Sequence, residues 1–297
     1  MGKTTSNLAL KNELAESELI KNFRHDNTWL QELTPKPQWV NNNTIKIPKR
    51  GLAPKVLINN QVYPIQSNKR EDGHVIIALN MYDTENTTVT DEELHALPYD
   101  KLGDVQQQHR EELEDKTAEH ALYSIAPDNT ATTPVLKTTG EDDGTGRKRL
   151  TAKDLINLKK ALDKLLVPKQ GRVLVLCPDH VADLLIEDLS FKQRYQDANG
   201  GKVANSYYGF EIYESTYAPK YDKTTLSRKP FGSADATSVE ASVVLHKKNT
   251  VKAPGTVTRY ARAAADNPER RENTIGFRIY WIAVAIKDEG AAAIISG

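Results

Sequence analysis

The stretch Gly171-Arg172-Val173-Leu174-Val175-Leu176-Cys177-Pro178-Asp179-His180-Val181-Ala182-Asp183-Leu184-Leu185 decides the fold. Val173 to Cys177 is continuously apolar, without the in-out alternation of a half-solvated strand, which predicts a strand covered on both faces. Pro178 cannot extend a strand ladder but suits the first turn of a helix. Val181, Leu184 and Leu185 then recur at helical spacing, so a helix is expected to about Leu189. A buried strand feeding directly into a helix is the central unit of a small α/β layer.

The layer extends in both directions along the chain. Upstream, Thr151 and Asp154 have the spacing of a capping box, and Leu155, Leu158, Leu162 and Leu165 continue it as a helix to about Val167. Pro168 and Gly171 end that helix. Downstream, residues 207–213 and 239–245 read as further strands, Ile275–Ile286 as a long C-terminal strand, and Ala291–Ile295 as an apolar tail. Residues 128–149, rich in Gly, Thr and mixed charge, read as a mobile surface linker.

Further upstream lies the clearest helix, Leu102–Ile125, about 24 residues and roughly 36 Å long. Its stripe of Leu102, Val105, His109, Leu113, Thr117, Ala121 and Ile125 is narrow and half polar. Glu111, Glu112, Glu114, Asp115 and Glu119 load the other faces. Such a helix is a strut crossing a surface rather than the centre of a bundle. Residues 45–98 read as a long two-stranded excursion, with Thr44–Ile47, Val56–Ile58, Gln61–Tyr63 and His74–Leu79 as strand candidates. An isolated hairpin is marginal in water unless something covers it, which favours an oligomer over a lobe packed on its own domain. Residues 1–33 read as an arm with an incomplete helical stripe of Leu8, Leu10, Leu14, Leu19 and Ile20, too short to bury itself.

Composition narrows the function. The 297 residues hold 40 Lys plus Arg and 40 Asp plus Glu, so no protein-wide field draws the chain to DNA or anionic lipid. Cys177 is the single cysteine, which excludes an internal disulfide and a cysteine-based metal cluster. No run approaches the roughly 20 apolar residues that cross a membrane, and the N-terminus lacks the apolar centre of a signal peptide. The seven histidines form neither His-x-x-x-His nor His-Glu-x-x-His, and no metal or cofactor is expected. Gly140 to Lys148 imitates a phosphate loop only superficially, because Glu141, Asp142 and Asp143 would repel phosphate.

Two features carry alternatives. Cys177 and His180 sit at a strand end, where active sites of α/β sheets gather, yet a cysteine closing an apolar strand is first of all a core residue. The basic run Lys247, Lys248, Lys252, Arg259, Arg262, Arg270 and Arg271 faces either nucleic acid or the acidic side of a neighbouring subunit at the Glu-rich strut. It lacks the aromatic interleaving of a single-strand binder, so subunit contact is preferred. Residues expected at subunit contacts are Leu14 and Trp29 in the arm, Val75 and Ile77 in the excursion, Glu112 and Asp115 on the strut, and Arg259 and Arg262 in the basic run.

In this order the elements resemble the major capsid proteins of tailed bacteriophages, an α+β class with the HK97-like fold. The stretches that carry the resemblance are 171–185, Ser206-Tyr207-Tyr208-Gly209-Phe210-Glu211-Ile212-Tyr213-Glu214-Ser215, and the ending from Trp281 to Gly297. The resemblance implies an N-terminal arm at 1–44 and an extended loop at 45–98. A spine helix and the first part of a peripheral domain would occupy 99–135, an axial domain 136–249, and peripheral return strands with the tail 250–297. It implies a non-enzymatic subunit that forms pentamers and hexamers of an icosahedral shell around double-stranded DNA, without sequence-specific binding. A separate scaffolding protein, a portal protein and a decoration protein are the implied partners, with assembly in the host cytoplasm and the virion as final location. The same fold serves encapsulins, shells that enclose cargo enzymes, and this is the alternative within the fold. An α/β enzyme using Cys177 and His180 is the alternative outside it.

Overall fold

The computed structural model describes residues 28–196 and 202–297, apart from 42, 50–55, 62, 66, 68 and 93–100. Leu14 and the arm stripe lie outside the described residues. After a 3-10 turn at Thr28–Glu32 come β1 (Thr34–Pro35), β2 (Val40–Asn41), β3 (Thr44–Lys49), β4 (Gly73–Ala78), β5 (Asn80–Asp83), β6 (Thr87–Thr90) and helix α1 (Lys101–Ile125). Next are β7 (Val135–Lys137), α2 (Ala152–Lys164), β8 (Arg172–Leu176), α3 (Pro178–Glu187), α4 (Leu189–Gln196), β9 (Lys202–Tyr207), β10 (Phe210–Glu214) and β11 (Lys220–Asp222). The chain closes with β12 (Ser238–His246), β13 (Thr250–Arg262), β14 (Glu272–Ala285) and β15 (Ala292–Ile295).

Strand β8 is buried at every residue and sits inside a seven-stranded mixed sheet of order β7-β15-β12-β8-β10-β9, with β11 also on β12. Its two faces feed two cores. Leu174 and Leu176 join Leu155, Leu158 and Leu162 of α2, Val181 and Leu184 of α3, and Phe191 of α4. Val173 and Val175 join Leu122 and Ile125 of α1 and Phe277 and Ile279 of β14. The continuous apolar run is therefore the requirement of a strand with a hydrophobic layer on each side.

Helix α2 starts as its sequence dictates. Thr151 Oγ1 accepts from the Asp154 amide (3.3 Å) while the Asp154 carboxylate accepts from the Thr151 amide (3.1 Å). The helix stops three residues short of Val167, and the buried Arg172 caps its far end by donating to the carbonyls of Val167 (2.6 Å) and Pro168 (3.0 Å) and to Asp163 (2.7 Å).

A second sheet, β1-β13-β14-β5 with β6 also on β14, lies under α1. Its backbone is the long antiparallel pair β13–β14, whose register shifts between Pro254 and Val257. The third sheet, β2-β3-β4, is the two-stranded excursion with a short extra strand at its base. Ile45 and Ile47 at that base pack with Val251, Ala253 and Ile282.

The structure departs from the sequence reading in several places. Residues 207–213 are not one strand: Tyr208 and Gly209 take positive φ (46° and 87°) and turn the chain between β9 and β10. The expected strand at Val56–Ile58 is absent, and the two-stranded pairing spans Thr44–Lys49 against Gly73–Ala78. The helix after Pro178 ends at Glu187 and a separate α4 follows. Residues 128–149 are not a loose linker, because they contain β7 and a loop pinned to the body. Arg147 forms a fork with Asp183 (2.7 and 2.7 Å), Thr139 donates to Asp154 (2.6 Å), and the Leu150 amide donates to Asp183 (2.9 Å). Glu114, assigned to the solvated faces of the strut, is buried beside Arg110 (3.8 Å).

Candidate functional site

Cys177 and His180 do lie together at the end of β8, but they do not form a nucleophile and its base. Ser242 of β12 stands between them: its Oγ accepts from the Cys177 amide (3.0 Å), lies 2.7 Å from His180 Nδ1, and donates to Cys177 Sγ (3.5 Å). The other ring nitrogen of His180 meets Ser296 Oγ (3.2 Å). Cys177 is 2% exposed and His180 is fully buried. A helix N-terminus usually acidifies a thiol, yet here desolvation wins and pushes Cys177 up to about 11. Burial likewise pushes the imidazole down to about 4, so it is neutral at neutral pH. The pair ties β8, β12 and the C-terminal tail together and has no opening for a substrate. Among the described residues no three His, Cys, Asp or Glu side chains gather as a metal site, and no helix is long and apolar enough to cross a membrane.

The surface is more informative than the interior. The tip of the excursion exposes Val56 (88%), Ile58 (86%), Tyr63 and Ile65, an apolar group that none of the described residues covers. On β4, Val75 and Ile77 are half-buried on the face of Ile45 and Ile47, with which they pair, while Ile76 is the exposed member. The expected contact pair Val75 and Ile77 thus has the inward phase of the alternation. Trp29 lies inside its own subunit, 1% exposed, among Leu33, Tyr213 and Leu245. The turn that carries it is held by Lys247, which bridges Glu32 (2.6 Å) and Glu211 (2.6 Å), and by the Tyr213 hydroxyl bonded to Glu32.

The basic run is largely engaged within the subunit. Besides Lys247, Arg262 donates to the Asp266 carbonyl (2.9 Å), Arg270 sits 3.6 Å from Glu272, and Arg259 is half-buried on β13. Glu112 and Asp115 of α1 are exposed. Asp115 bonds Tyr217, whose hydroxyl is raised to about 12 by burial and then by that carboxylate.

Glu112 borders an open cleft of about 890 Å³ that sequence reasoning missed. Strand β5 and residues 84–87 form one wall and the Gln108–His120 face of α1 the other, with Phe231 at one end. His120 lies on the cleft among Tyr82 (2.7 Å from its Nδ1), Tyr123 and Phe231, and burial lowers its pKa. His109 is buried against Phe277, its pKa also lowered by burial, and its Nε2 has no hydrogen-bond partner. The only sequence signal for this cleft is the half-polar stripe of the strut, since its walls are distant in the chain.

A family model for phage capsid protein matches residues 76–295, most of the chain and every element of the two large sheets except β1. The chain belongs to the phage capsid protein family. Solved structures agree with that membership at the level of fold. A capsid chain of cyanophage P-SCSP1u superposes with a TM-score of 0.62 at 14% identity, covering 89% of this chain and 86% of that one. A capsid chain of Ralstonia phage GP4 gives 0.65 at 8% identity, covering 89% and 87%. The virus-like particle from Pyrococcus furiosus gives 0.57 at 13% identity, covering 96% and 99%. Among curated proteins none matches the chain. Family membership makes this chain a capsid protein, and its mixed α/β topology is shared with the capsid and virus-like-particle chains it resembles.

Proposed function

We propose that this capsid protein is the major shell subunit of a tailed phage, forming the pentamers and hexamers of an icosahedral shell that encloses double-stranded DNA. The observation that carries the proposal is the uncovered apolar tip at Val56, Ile58, Tyr63 and Ile65, in a chain whose fold is shared over 89% of its length with phage capsid chains. The base of the excursion packs on the body through Ile45 and Ile47, but a monomer gains nothing from a tip that buries no core. A lattice gains contact area from each one, at little cost to the fold of the subunit. The formal net charge of zero suits condensation of many copies without strong self-repulsion, and it suits holding DNA by enclosure rather than by groove reading. On this reading the seven-stranded domain gathers around the symmetry axes. A separate scaffold, a portal and a decoration protein are the partners, and assembly takes place in the host cytoplasm.

The extensive likeness to the virus-like particle from Pyrococcus furiosus favours one second reading, an encapsulin-type shell around cargo enzymes. Sedimentation of particles from producing cells, with absorbance at 260 and 280 nm across the peak, separates the two. A virion shell carries DNA in its fast-sedimenting fraction. Particles free of nucleic acid that co-purify with one enzyme would replace the phage reading with the cargo reading.

A further inference from the structure

The outward face of α2 carries a row of lysines that the fold does not use. Lys153, Lys160 and Lys164, with Asn157 between them, fall in a narrow arc of the helix opposite the buried Leu155, Leu158 and Leu162, and all four are exposed. The row runs about 16 Å along the helix axis. Beyond the helix end the loop adds the exposed Lys169. The β12–β13 turn adds the exposed Lys248, and that turn is held to the loop: His246 Nε2 donates to the Gln170 carbonyl (3.1 Å) and the Lys247 amide to the Gly171 carbonyl (2.9 Å). Residues 151–172 hold six bases against two acids, in a chain whose net charge is zero. Neither acid answers the row, because Asp154 is buried in the capping box and Asp163 is shared by Lys159 and Arg172. Among the described residues no ion pair or hydrogen bond engages the side chains of these five lysines. Like charges four residues apart weaken a helix, so Lys160 and Lys164 are not there for α2, which is held by its cap and its leucines.

We propose that this lysine row is the surface that meets the phosphate backbone of the enclosed double-stranded DNA. This rests on the virion reading above and names the part of the subunit that touches the packaged molecule. The residue types select that partner over a protein surface. Protein interfaces draw their centre from aromatic and aliphatic side chains and are depleted in lysine, whereas Ile156 is the one large apolar side chain exposed on α2. Lysines in place of arginines suit contact without sequence reading. An ammonium is a point charge for a phosphate oxygen and lacks the planar fork that reads guanine edges. A length of about 16 Å matches the rise of roughly five base pairs, so the helix spans several phosphates of one strand. By contrast, Lys247, Arg262 and Arg270 of the basic run are engaged within the subunit.

The triple variant Lys153→Gln, Lys160→Gln and Lys164→Gln tests the contact on the purified subunit, with a mixed-sequence DNA duplex as probe. The three side chains are exposed, so the variant keeps the fold. The slope of log affinity against log salt concentration is expected to become shallower by about 3, one unit for each lost phosphate contact. As a second measurement, an amine-acetylating reagent is applied to DNA-filled particles and to particles emptied of DNA, and labelling is read at each lysine by mass spectrometry. Lys153, Lys160, Lys164, Lys169 and Lys248 are expected to be protected in filled particles and labelled in emptied ones. An unchanged salt slope, or equal labelling with and without DNA, would overturn the contact and leave the shell reading standing. Equal protection in both kinds of particle, against free labelling of the subunit, would assign the row to a protein partner instead. Fast-sedimenting particles that never carry DNA would overturn the virion reading, and the contact with it.

Discussion

His180 shows how one buried side chain fixes several elements and sets a pH limit. Its ring is held neutral between Ser242 and Ser296, with Cys177 at the same serine. The charged groups that face it are Asp183 on its own helix, Arg147 from the loop and Asp154 from α2. The unfolded chain binds a proton at this imidazole below the usual value near 6.5, whereas the folded chain resists it down to about 4. Protonation therefore favours unfolding, and stability contributed by neutral His180 is present above about pH 6.5 and lost as pH falls toward 4. The loss amounts to about 2–4 kcal/mol. Urea unfolding of the subunit at stepped pH should show that decline, and His180→Gln should flatten it while lowering stability at pH 7. An unchanged slope in the variant would assign the acid sensitivity elsewhere. The same burial makes Cys177 inert: a thiol reagent should label it only after unfolding, and rapid labelling of the native chain would contradict the buried network.

At the scale of elements, the loop at 139–149 is ordered by a contact far away in sequence. Asp183 is 2% exposed on its side chain, and the Arg147 fork is its only cationic partner among the described ion pairs. Arg147→Ala leaves a buried carboxylate uncompensated, which costs about 3 kcal/mol or more. The loop should then become cleavable by trypsin at Lys148 or Arg149 under conditions where wild type resists. Equal resistance in both would show that the loop is held by other bonds. This contact also explains what was legible. Strand β8 and the capped start of α2 are written in neighbouring residues, as an apolar run, a proline and a Thr-x-x-Asp box, and the structure has them where expected. The turn at Tyr208–Gly209 was hidden because strand-favouring residues, Tyr207, Tyr208, Phe210, Ile212 and Tyr213, stand on both sides of a single glycine. The order of 139–149 was hidden because Gly, Asp and Thr look the same in a mobile loop and in one pinned by a distant carboxylate.

At the scale of the whole molecule, the subunit has two cores that share β8 and a smaller third core that seats the base of the excursion on β13 and β14. The strut was legible as a long helix with a thin apolar stripe. Its cleft was not, because the walls at 80–87 and 108–120 meet only after β5 has joined β14. The phase of β4 was likewise lost, since three consecutive apolar residues, Val75, Ile76 and Ile77, do not reveal which of them faces out. The central claim concerns what this subunit builds with copies of itself. Electron microscopy of the purified chain tests it most directly. The account predicts closed shells, or rings of five and six, with the seven-stranded domains around the axes. A folded chain that stays a 33.2 kDa monomer at high concentration and under crowding would contradict it.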